Sequence, residues 1–324
     1  MFWKRSVACS VLSLWLIPPY LCAAEHYPDR PLKLVVGYSA GGPADSVARH
    51  LAGIVAKALG QPVIIENKGG AAGSIAAATV ARAAPDGYTI FYGTTDVVLY
   101  PALFKNAAYD PVRDFAPVTG IGKRPPVLVV QPSLGVKSLQ ELVALAKAKP
   151  GMLTYESSGV GSIEHLAAEI FQKAAGVQLV HVPYRGSAPA IVDLVAGQIQ
   201  MGFESPLGVV GHVRSGKLVA LVTAGGVRLT SLPHVPTVYE VGMPELDLRA
   251  PWAGIFVPAG TPRDRVMRLN VEFAKARNLK DTVNHPVFTD SRPITGTPEH
   301  FGAFVKSEVT RWATLVKDAN IAVE

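Results

Sequence analysis

Short apolar runs alternate with segments of helical periodicity along most of the chain. Residues 32–36 form an apolar run typical of a buried strand, and residues 62–66 form another. The segment between them has apolar residues at the spacing of one buried helix face, at Val47, Leu51, Ile54, Val55, Ala58 and Leu59. This order of strand, helix and strand predicts an α/β fold built on a largely parallel sheet.

The joint between the first strand and the first helix is rich in glycine. Gly41 and Gly42 stand there, and Pro43 follows at the expected first helical position. Glycines let the backbone turn sharply and approach a ligand, and the free amides and dipole of a helix start favour a carboxylate or phosphate. An ordinary turn, with Asp45 stabilising the helix start, explains the same residues. Both interpretations stay open at this point.

Two further joints follow in the first half of the chain. A glycine-rich stretch at residues 67–74 leads into a small-residue helix, and its spacing does not match a phosphate-binding loop. The strand at residues 88–92 ends before Thr95 and Asp96. Ligands of open parallel sheets collect beyond the carboxyl ends of strands, so these two side chains are candidates for ligand contact.

The same alternation starts again at Pro125. A strand at 127–130, a helix at 138–149 and a strand at 153–155 predict a second α/β lobe. Its next joint carries Ser158, Gly159, Gly161 and Ser162 before another amphipathic helix. Ser162 is a natural N-cap, and its hydroxyl with the glycine amides is also suited to a carboxylate oxygen.

The rest of the chain continues this architecture. A strand from Val180 ends in the polar turn of Tyr184 and Arg185, and a later strand ends at Glu204. The section at 225–250 contains three prolines and no sustained hydrophobic periodicity. It is therefore predicted to be an irregular crossover between lobes or a lid. A strand at 252–257 and helices at 263–277 and 298–320 complete the predicted elements.

The composition and the N-terminal segment together predict the cellular compartment of the protein. The 324 residues are 49% hydrophobic and 17% charged, which is typical of a well-packed globular protein. Residues 1–24 have Lys4 and Arg5 before an apolar run, with Ala24 as a small cleavage residue, and so predict a secretory signal peptide. Both cysteines lie in this leader, so cleavage leaves no thiol or disulfide; lipid attachment at Cys22 is the alternative.

Charge and residue spacing exclude several kinds of site. The formal charge of +6 becomes 6 − 2 = +4 without the two leader cations, and no basic cluster with interleaved aromatics predicts nucleic-acid binding. The eight histidines show no ligand-spaced pair, so neither a metal centre nor another cofactor is expected. Ser162 and His165 lack the G-x-S-x-G elbow of a hydrolase, which leaves a secreted serine hydrolase as a remote alternative.

Many short motifs in order give the chain a family resemblance. The motifs begin with Tyr27-Pro-Asp-Arg-Pro31, Gly41-Gly-Pro-Ala-Asp45 with Arg49, Pro85-Asp-Gly-Tyr88, Ser158-Gly-Val-Gly-Ser162 with His165 and Glu169, and Val182-Pro-Tyr-Arg-Gly186 with Pro189-Ala190. They continue with Asp193-Leu-Val-Ala-Gly-Gln198, Leu232-Pro-His-Val-Pro-Thr237 and Pro258-Ala-Gly-Thr-Pro262. Over the whole mature length the chain resembles the periplasmic solute-binding proteins of tripartite tricarboxylate transporters, the Bug family.

The resemblance implies a two-lobed, Venus-flytrap periplasmic binding protein fold of type II, and no enzymatic activity. The implied parts are a leader at 1–24, a first lobe at 25–124 and 229–324, and a second lobe at 125–228, with hinge crossings near 122–125 and 225–232. Alternatively, the second hinge crossing between the lobes lies as late as residue 250. The ligand would stabilise the closed form by touching both lobes.

The resemblance also implies a carboxylate held between two loops, residues 38–45 and 158–162. The candidate ligand-binding residues are Tyr38, Ser39, Ala40, Gly41, Gly42, Asp45, Thr95, Asp96, Ser158, Gly159, Gly161, Ser162, Tyr184, Arg185 and Glu204. Of these, Asp45 is expected to order its loop more than to touch the anion. Three of these positions carry residues other than those usual in the family, namely Asp96, Arg185 and Glu204. They are expected to contact the rest of the solute, so the resemblance does not identify which carboxylate is bound.

The expected partners follow from the same resemblance. They are a small carboxylate solute and the membrane permease subunits of a tripartite tricarboxylate transporter, with the protein acting as a periplasmic monomer. A sensor that docks on a signalling receptor is the alternative, and the sequence does not separate the two.

Overall fold

The computed structural model describes residues 27–318, so the predicted leader lies outside the described residues. The strands are β1 (Leu32–Val36), β2 (Val63–Asn67), β3 (Thr89–Thr94), β4 (Phe115–Lys123), β5 (Val127–Val130), β6 (Thr154–Ser157), β7 (Val180–Pro183), β8 (Met201–Glu204), β9 (Val219–Thr223) and β10 (Trp252–Pro258). The helices are α1 (Pro43–Leu59), α2 (Ser74–Ala81), α3 (Asp96–Leu103), α4 (Leu139–Ala148), α5 (Ile163–Ala175), α6 (Ser187–Ala196), α7 (Pro206–Arg214), α8 (Arg263–Asn278), α9 (Lys280–Val283) and α10 (Pro298–Asp318).

The strands form two sheets of the same design. The first has the order β2-β1-β3-β10-β4 and the second has the order β7-β6-β8-β5-β9. In each sheet four of the five strands run in the same direction, and the remaining one, β10 or β5, lies antiparallel to both of its neighbours. We call each sheet with its helices a lobe.

Helix α1 shows how the sequence pattern forms a lobe. Its buried apolar residues include Val47, Leu51, Val55 and Leu59, which lie on one face as their spacing predicts. The helix ends at Gly60, whose φ of 68° is the left-handed conformation that favours glycine. Helix α1 follows β1 along the chain, so its N-terminus lies at the carboxyl end of β1.

Two connections pass between the sheets. Strand β4 of the first sheet ends at Lys123 and β5 of the second begins at Val127, so this crossing is short. The return from β9 to β10 spans the irregular segment 224–251. These positions are compatible with the expected hinge crossings, whereas the residue limits of the two lobes stay a prediction.

The predicted elements were mostly right in kind, and four elements were missed. The sequence analysis did not predict β4, α3, α7 or the short α9. Helix α3 contains Pro101 and lacks an amphipathic period, and its residues 97–99 are all buried, so its sequence shows no polar face. Helix α7 has glycines at Gly208 and Gly211, which lower helix propensity, and tertiary packing decides its conformation.

Candidate functional site: a cavity between the lobes

A cavity of about 160 Å³ lies between the two lobes. Since a water molecule needs on the order of 10–15 Å³ by the same measure, the cavity has room for a small organic solute. Its wall comes from the first loop and β3 of one lobe, from the second loop and the starts of α5, α6 and α7 in the other, and from both connections. Its polar and charged lining residues are Tyr38, Tyr92, Thr94, Thr95, Asp96, Arg124, Ser158, Glu164, Ser187, Ser205, Trp252 and Ser291.

Asp45 orders the first loop. Its carboxylate accepts hydrogen bonds from Gly41 N at 2.9 Å, from Arg49 Nε at 2.9 Å and from Asn67 Nδ2 at 2.9 Å. Burial raises the pKa of Asp45, but these donors outweigh burial and hold the pKa below its ordinary value. Gly41 has a φ of 82°, which explains the need for glycine at that turn. These contacts agree with the expected ordering role of Asp45.

The N-terminus of α1 faces the cavity without a side-chain cap. Gly42, Pro43 and Ala44 line the wall, and the N-cap residue Gly42 supplies no side-chain acceptor. The first amides of a helix have no partner within the helix. This helix start therefore offers donors to an anion in the cavity.

Asp96 joins the two lobes. One of its carboxyl oxygens accepts a hydrogen bond from Tyr38 Oη at 2.5 Å, and the other accepts one from Ile163 N at 3.0 Å, across the cleft. Burial, followed by the charge of Glu164, raises the pKa of Asp96 well above its ordinary value. The first amide of α5 is thus already paired with a side chain of the opposite lobe.

The second loop is held by its own side chains. Ser158 Oγ donates to Glu164 Oε2 at 2.6 Å, and Ser162 Oγ accepts from His165 N at 3.3 Å as the cap of α5. His165 Nδ1 accepts from Gly161 N at 3.1 Å. The imidazole of His165 therefore supports the loop, and the hydroxyl of Ser162 bonds to the backbone, so the two side chains do not form a nucleophile and base pair.

Each of the two loops touches the opposite lobe across the cleft. Ser39 N donates to the carbonyl oxygen of Arg185 at 3.2 Å. A Cβ built on Gly186 would lie 2.7 Å from Ser39 Oγ, and one on Gly159 would lie 2.8 Å from Ala72 N. Glycine at these positions permits backbones of opposite lobes to approach closely. The lobes are in contact around the cavity.

The structure brings some of the predicted residues to the cavity wall and places the others behind it. Tyr38, Gly42, Thr95, Asp96 and Ser158 line the cavity. Those outside the lining are Ser39, Ala40, Gly41, Asp45, Gly159, Gly161, Ser162, Tyr184, Arg185 and Glu204.

Three of the residues outside the lining have distinct surroundings. Tyr184 Oη donates to Asp193 Oδ2 at 2.6 Å, and Arg185 is exposed. Glu204 is fully buried, and burial, followed by Glu164, raises its pKa well above the ordinary value. Their contribution to ligand binding stays a prediction.

Sequence reasoning missed several lining residues. Arg124 lies in the first crossing, which the sequence did locate, and a crossing between lobes necessarily borders the cleft. Glu164 directly follows the second loop at the start of α5. Trp252 and Phe288 reach the cavity through tertiary packing, for which the local pattern holds no signal.

Two stacked histidines beneath the second loop, the buried His165 and the half-buried His181, give a pH prediction. His165 and His181 stack at 4.1 Å, and His181 Nε2 lies 2.6 Å from Ser157 Oγ. Burial, then the neighbouring His165, lowers the pKa of His181 from 6.5 to about 4. A pKa lowered by folding contributes stability above pH 6.5 that is lost as pH falls toward 4.

We expect His181→Asn to reduce this acid-dependent loss by roughly 1 kcal/mol, allowing for partial exposure of the ring. The free energy of unfolding, measured in urea at several pH values between 7 and 4, checks the change. His234→Asn is the control, because His234 is exposed. An identical pH slope for His181→Asn and the unmodified protein contradicts the assignment.

Among residues 27–318, no cluster of three or more His, Cys, Asp or Glu side chains could hold a metal ion. In the same part of the chain, none of the helices combines the length and apolar character that crossing a bilayer requires.

Comparisons with known proteins agree on one family. Residues 47–321 match the model of the tripartite tricarboxylate transporter family receptor. Protein BugT of Bordetella pertussis strain Tohama I is 36% identical over 298 residues, which cover 91% of each chain.

Solved structures agree with that match. The periplasmic binding protein BugD has a TM-score of 0.88 at 32% identity, covering 92% of this chain and 100% of its own. MatC from Rhodopseudomonas palustris, with bound malate, has a TM-score of 0.85 at 33% identity, covering 90% of this chain and 100% of its own. These likenesses confirm the predicted two-lobed periplasmic binding protein fold.

The remote hydrolase interpretation finds no support in these relatives, which are receptors and binding proteins. The family match, the fold and the cavity between the lobes lead to one conclusion. The chain belongs to the tripartite tricarboxylate transporter receptor family, as its motifs predicted, and is a solute-binding protein, not an enzyme.

Proposed function

We propose that the protein captures a small carboxylate-bearing solute in the cavity between its lobes and delivers it to a tripartite tricarboxylate transporter. The observation that carries the proposal is the uncapped start of α1 at the cavity wall. Amides of a helix start bind a carboxylate without leaving the buried anion unpaired. Malate in the related MatC structure is an anion of this class.

The contacts favour unequal roles for the two loops. The amides of Gly42 and Ala44 at the start of α1 are open to a ligand, whereas the Ile163 amide of α5 is bonded to Asp96. The second loop contributes Ser158 to the wall. In this scheme the first loop holds the anion, and the second loop closes over it.

The location and partners belong to the same proposal. The leader predicted at residues 1–24 and the periplasmic relative BugD support a periplasmic location. The family description supports a membrane transporter as the partner. We infer that the mature chain acts as a monomer and docks on the permease subunits once the lobes have closed.

Thermal unfolding with a panel of carboxylates tests the proposal. At about 100 times its dissociation constant, a true ligand adds roughly 2.7 kcal/mol of stability. For a chain of this size that corresponds to a rise in melting temperature of about 4 °C. The dimethyl ester of each dicarboxylate serves as the matched neutral control. The proposal is contradicted if the esters stabilise the protein and none of the carboxylates does.

A further inference from the structure

Asp96 supplies the first amide of α5 with an acceptor from across the cleft. Ile163 is the first residue of α5, and its N–H donates to Asp96 Oδ1 at 3.0 Å. The first amides of a helix have no acceptor within the helix, so a cap, water or a ligand has to provide one. Asp96 is 3% exposed and Ile163 is 8% exposed. Because the two residues belong to different lobes, this buried bond requires the lobes to be together.

The carboxyl group of Asp96 is held in place by its own lobe. Tyr38 Oη lies 2.5 Å from Asp96 Oδ2 and 2.7 Å from Thr94 Oγ1. The preceding residue, Thr95, donates its amide to the carbonyl of Trp252 at 2.9 Å, and its hydroxyl accepts from the Trp252 amide at 2.7 Å. These bonds fix the end of β3 to β10, so Asp96 Oδ1 is presented to the other lobe in a defined orientation.

The contact with Ile163 does not depend on the charge of Asp96. Burial, followed by the charge of Glu164, raises the pKa of Asp96 well above its ordinary value, which favours the neutral carboxyl group. A neutral carboxyl group keeps Oδ1 as an acceptor, and its proton on Oδ2 bonds to Tyr38 Oη while the Tyr38 proton bonds to Thr94 Oγ1. An asparagine side chain is able to make the same set of bonds.

The other end of α3 touches the same part of the second lobe. A Cβ built on Gly161 would lie 2.6 Å from Cε2 of Phe104, the residue that follows α3. The ring of Phe104 packs against that of Tyr100, with centroids 4.4 Å apart. The second loop and the start of α5 therefore contact α3 at both ends, through protein groups alone.

We propose that Asp96 is a latch, which raises the closed fraction of the solute-free protein by accepting the Ile163 amide bond from the opposite lobe. A bond that exists only in the closed form shifts the equilibrium between open and closed molecules toward the closed form. A carboxyl group at a helix start is also what an anionic ligand offers, so Asp96 acts as an internal ligand.

The latch has a consequence for solute binding. When more of the protein is closed in advance, the solute has to close a smaller fraction of the molecules, and its apparent affinity rises. The latch goes beyond the proposed function, since it operates without a solute and does not define which solute is bound.

Small-angle X-ray scattering of solute-free variants tests the latch. Asp96→Ala removes the acceptor and should increase the radius of gyration, whereas Asp96→Asn keeps an acceptor oxygen and should leave the radius unchanged. Formate supplies the missing carboxylate, so it should restore the smaller radius of Asp96→Ala. Asp264→Ala is the control, because Asp264 is exposed on α8 of the same lobe.

A substitution on the other side of the cleft tests the same bond. Ile163→Pro removes the donor, and proline suits the first position of a helix. Ser162 has a φ of −77° and a ψ of 166°, an extended conformation that a residue before proline adopts. Ile163→Pro should increase the radius as Asp96→Ala does, and Ile163→Val, which keeps the amide, should not. Formate should compact Asp96→Ala more than Ile163→Pro, because only Asp96→Ala retains the amide of residue 163.

Hydrogen exchange measures the latch bond itself. In solute-free protein, the amide of Ile163 should exchange roughly tenfold faster in Asp96→Ala than in the unmodified protein, as expected for the loss of one hydrogen bond. Melting temperatures show which variants are folded, and either Asp96→Ala or Ile163→Pro is sufficient for the scattering test.

Three results would each overturn the latch. They are unchanged radii in the folded variants, equal compaction of Asp96→Ala and Ile163→Pro by formate, and exchange of the Ile163 amide in the unmodified protein at the rate of an unbonded amide. The last result requires no variant. The proposed function stands in all three cases, because the carboxylate panel tests it separately.

Discussion

Gly69→Ala is expected to weaken carboxylate binding by roughly 5- to 150-fold. A Cβ on Gly69 would lie 2.5 Å from the carbonyl oxygen of Arg185, which belongs to the opposite lobe. Overpacking of this kind costs about 1–3 kcal/mol, and every 1.4 kcal/mol is a factor of ten in affinity. The backbone of Gly69 has no positive φ, so alanine fits its conformation once the lobes separate.

Two measurements identify the cause of that loss. Calorimetry gives the affinity, and small-angle X-ray scattering shows whether the ligand still reduces the radius of gyration. Gly53→Ala, in α1 of the same lobe, is the matched control, because a Cβ there meets nothing within 4 Å. Unchanged affinity in Gly69→Ala contradicts a closed form in which residues 69 and 185 touch.

Glu308→Ala is expected to destabilise the fold by about 3–5 kcal/mol. Glu308 on α10 accepts hydrogen bonds from the indole nitrogens of Trp252 at 2.9 Å and Trp312 at 3.1 Å. It also pairs with Arg311 through bonds of 2.7 and 2.6 Å. Removing the carboxylate leaves two buried donors and a mostly buried guanidinium without their acceptor.

Urea unfolding at pH 7 measures this loss. Glu308→Gln should lie between the unmodified protein and Glu308→Ala, because the amide keeps one acceptor oxygen and loses the charge. Glu299→Ala is the control on the same helix, since the carboxylate of Glu299 is exposed and its ion pair with Arg263 lies at the surface. Equal stability of Glu308→Ala and Glu299→Ala contradicts the structural role of Glu308.

The lobes were predictable because their signals are local. Most strands end at a joint where a helix begins, and the apolar spacing of α1 and α5 defines which face is buried. Helix α3 was missed because its residues 97–99 are buried together and Pro101 interrupts the pattern. Strand β4 was missed too, although it borders the crossing that was predicted.

The candidate site was predictable only in part. The glycine joints located the first loop, and Asp45 orders it as expected. The contact between Asp96 and Ile163 joins residues 67 positions apart in different lobes, and no local pattern indicates such a pair. Arg185 was chosen for its charge, yet its side chain is exposed and its carbonyl makes the contact with the other lobe.

The side chain of Arg124 is another feature of the site that the local sequence pattern does not predict. Its position in the crossing between β4 and β5 was known from the sequence, but the direction of its side chain depends on Val287 and Ser205. Periodicity cannot orient a residue in a three-residue connection between two sheets.

A crystal structure of the protein grown with the tightest-binding carboxylate tests the central claim most directly. The account predicts ligand density in the cavity between the lobes, with a carboxylate oxygen within hydrogen-bond distance of the Gly42 or Ala44 amide at the start of α1 and contacts to Ser158 from the other lobe. Density for the ligand outside this cavity, or contacts to one lobe alone, would contradict capture by closure.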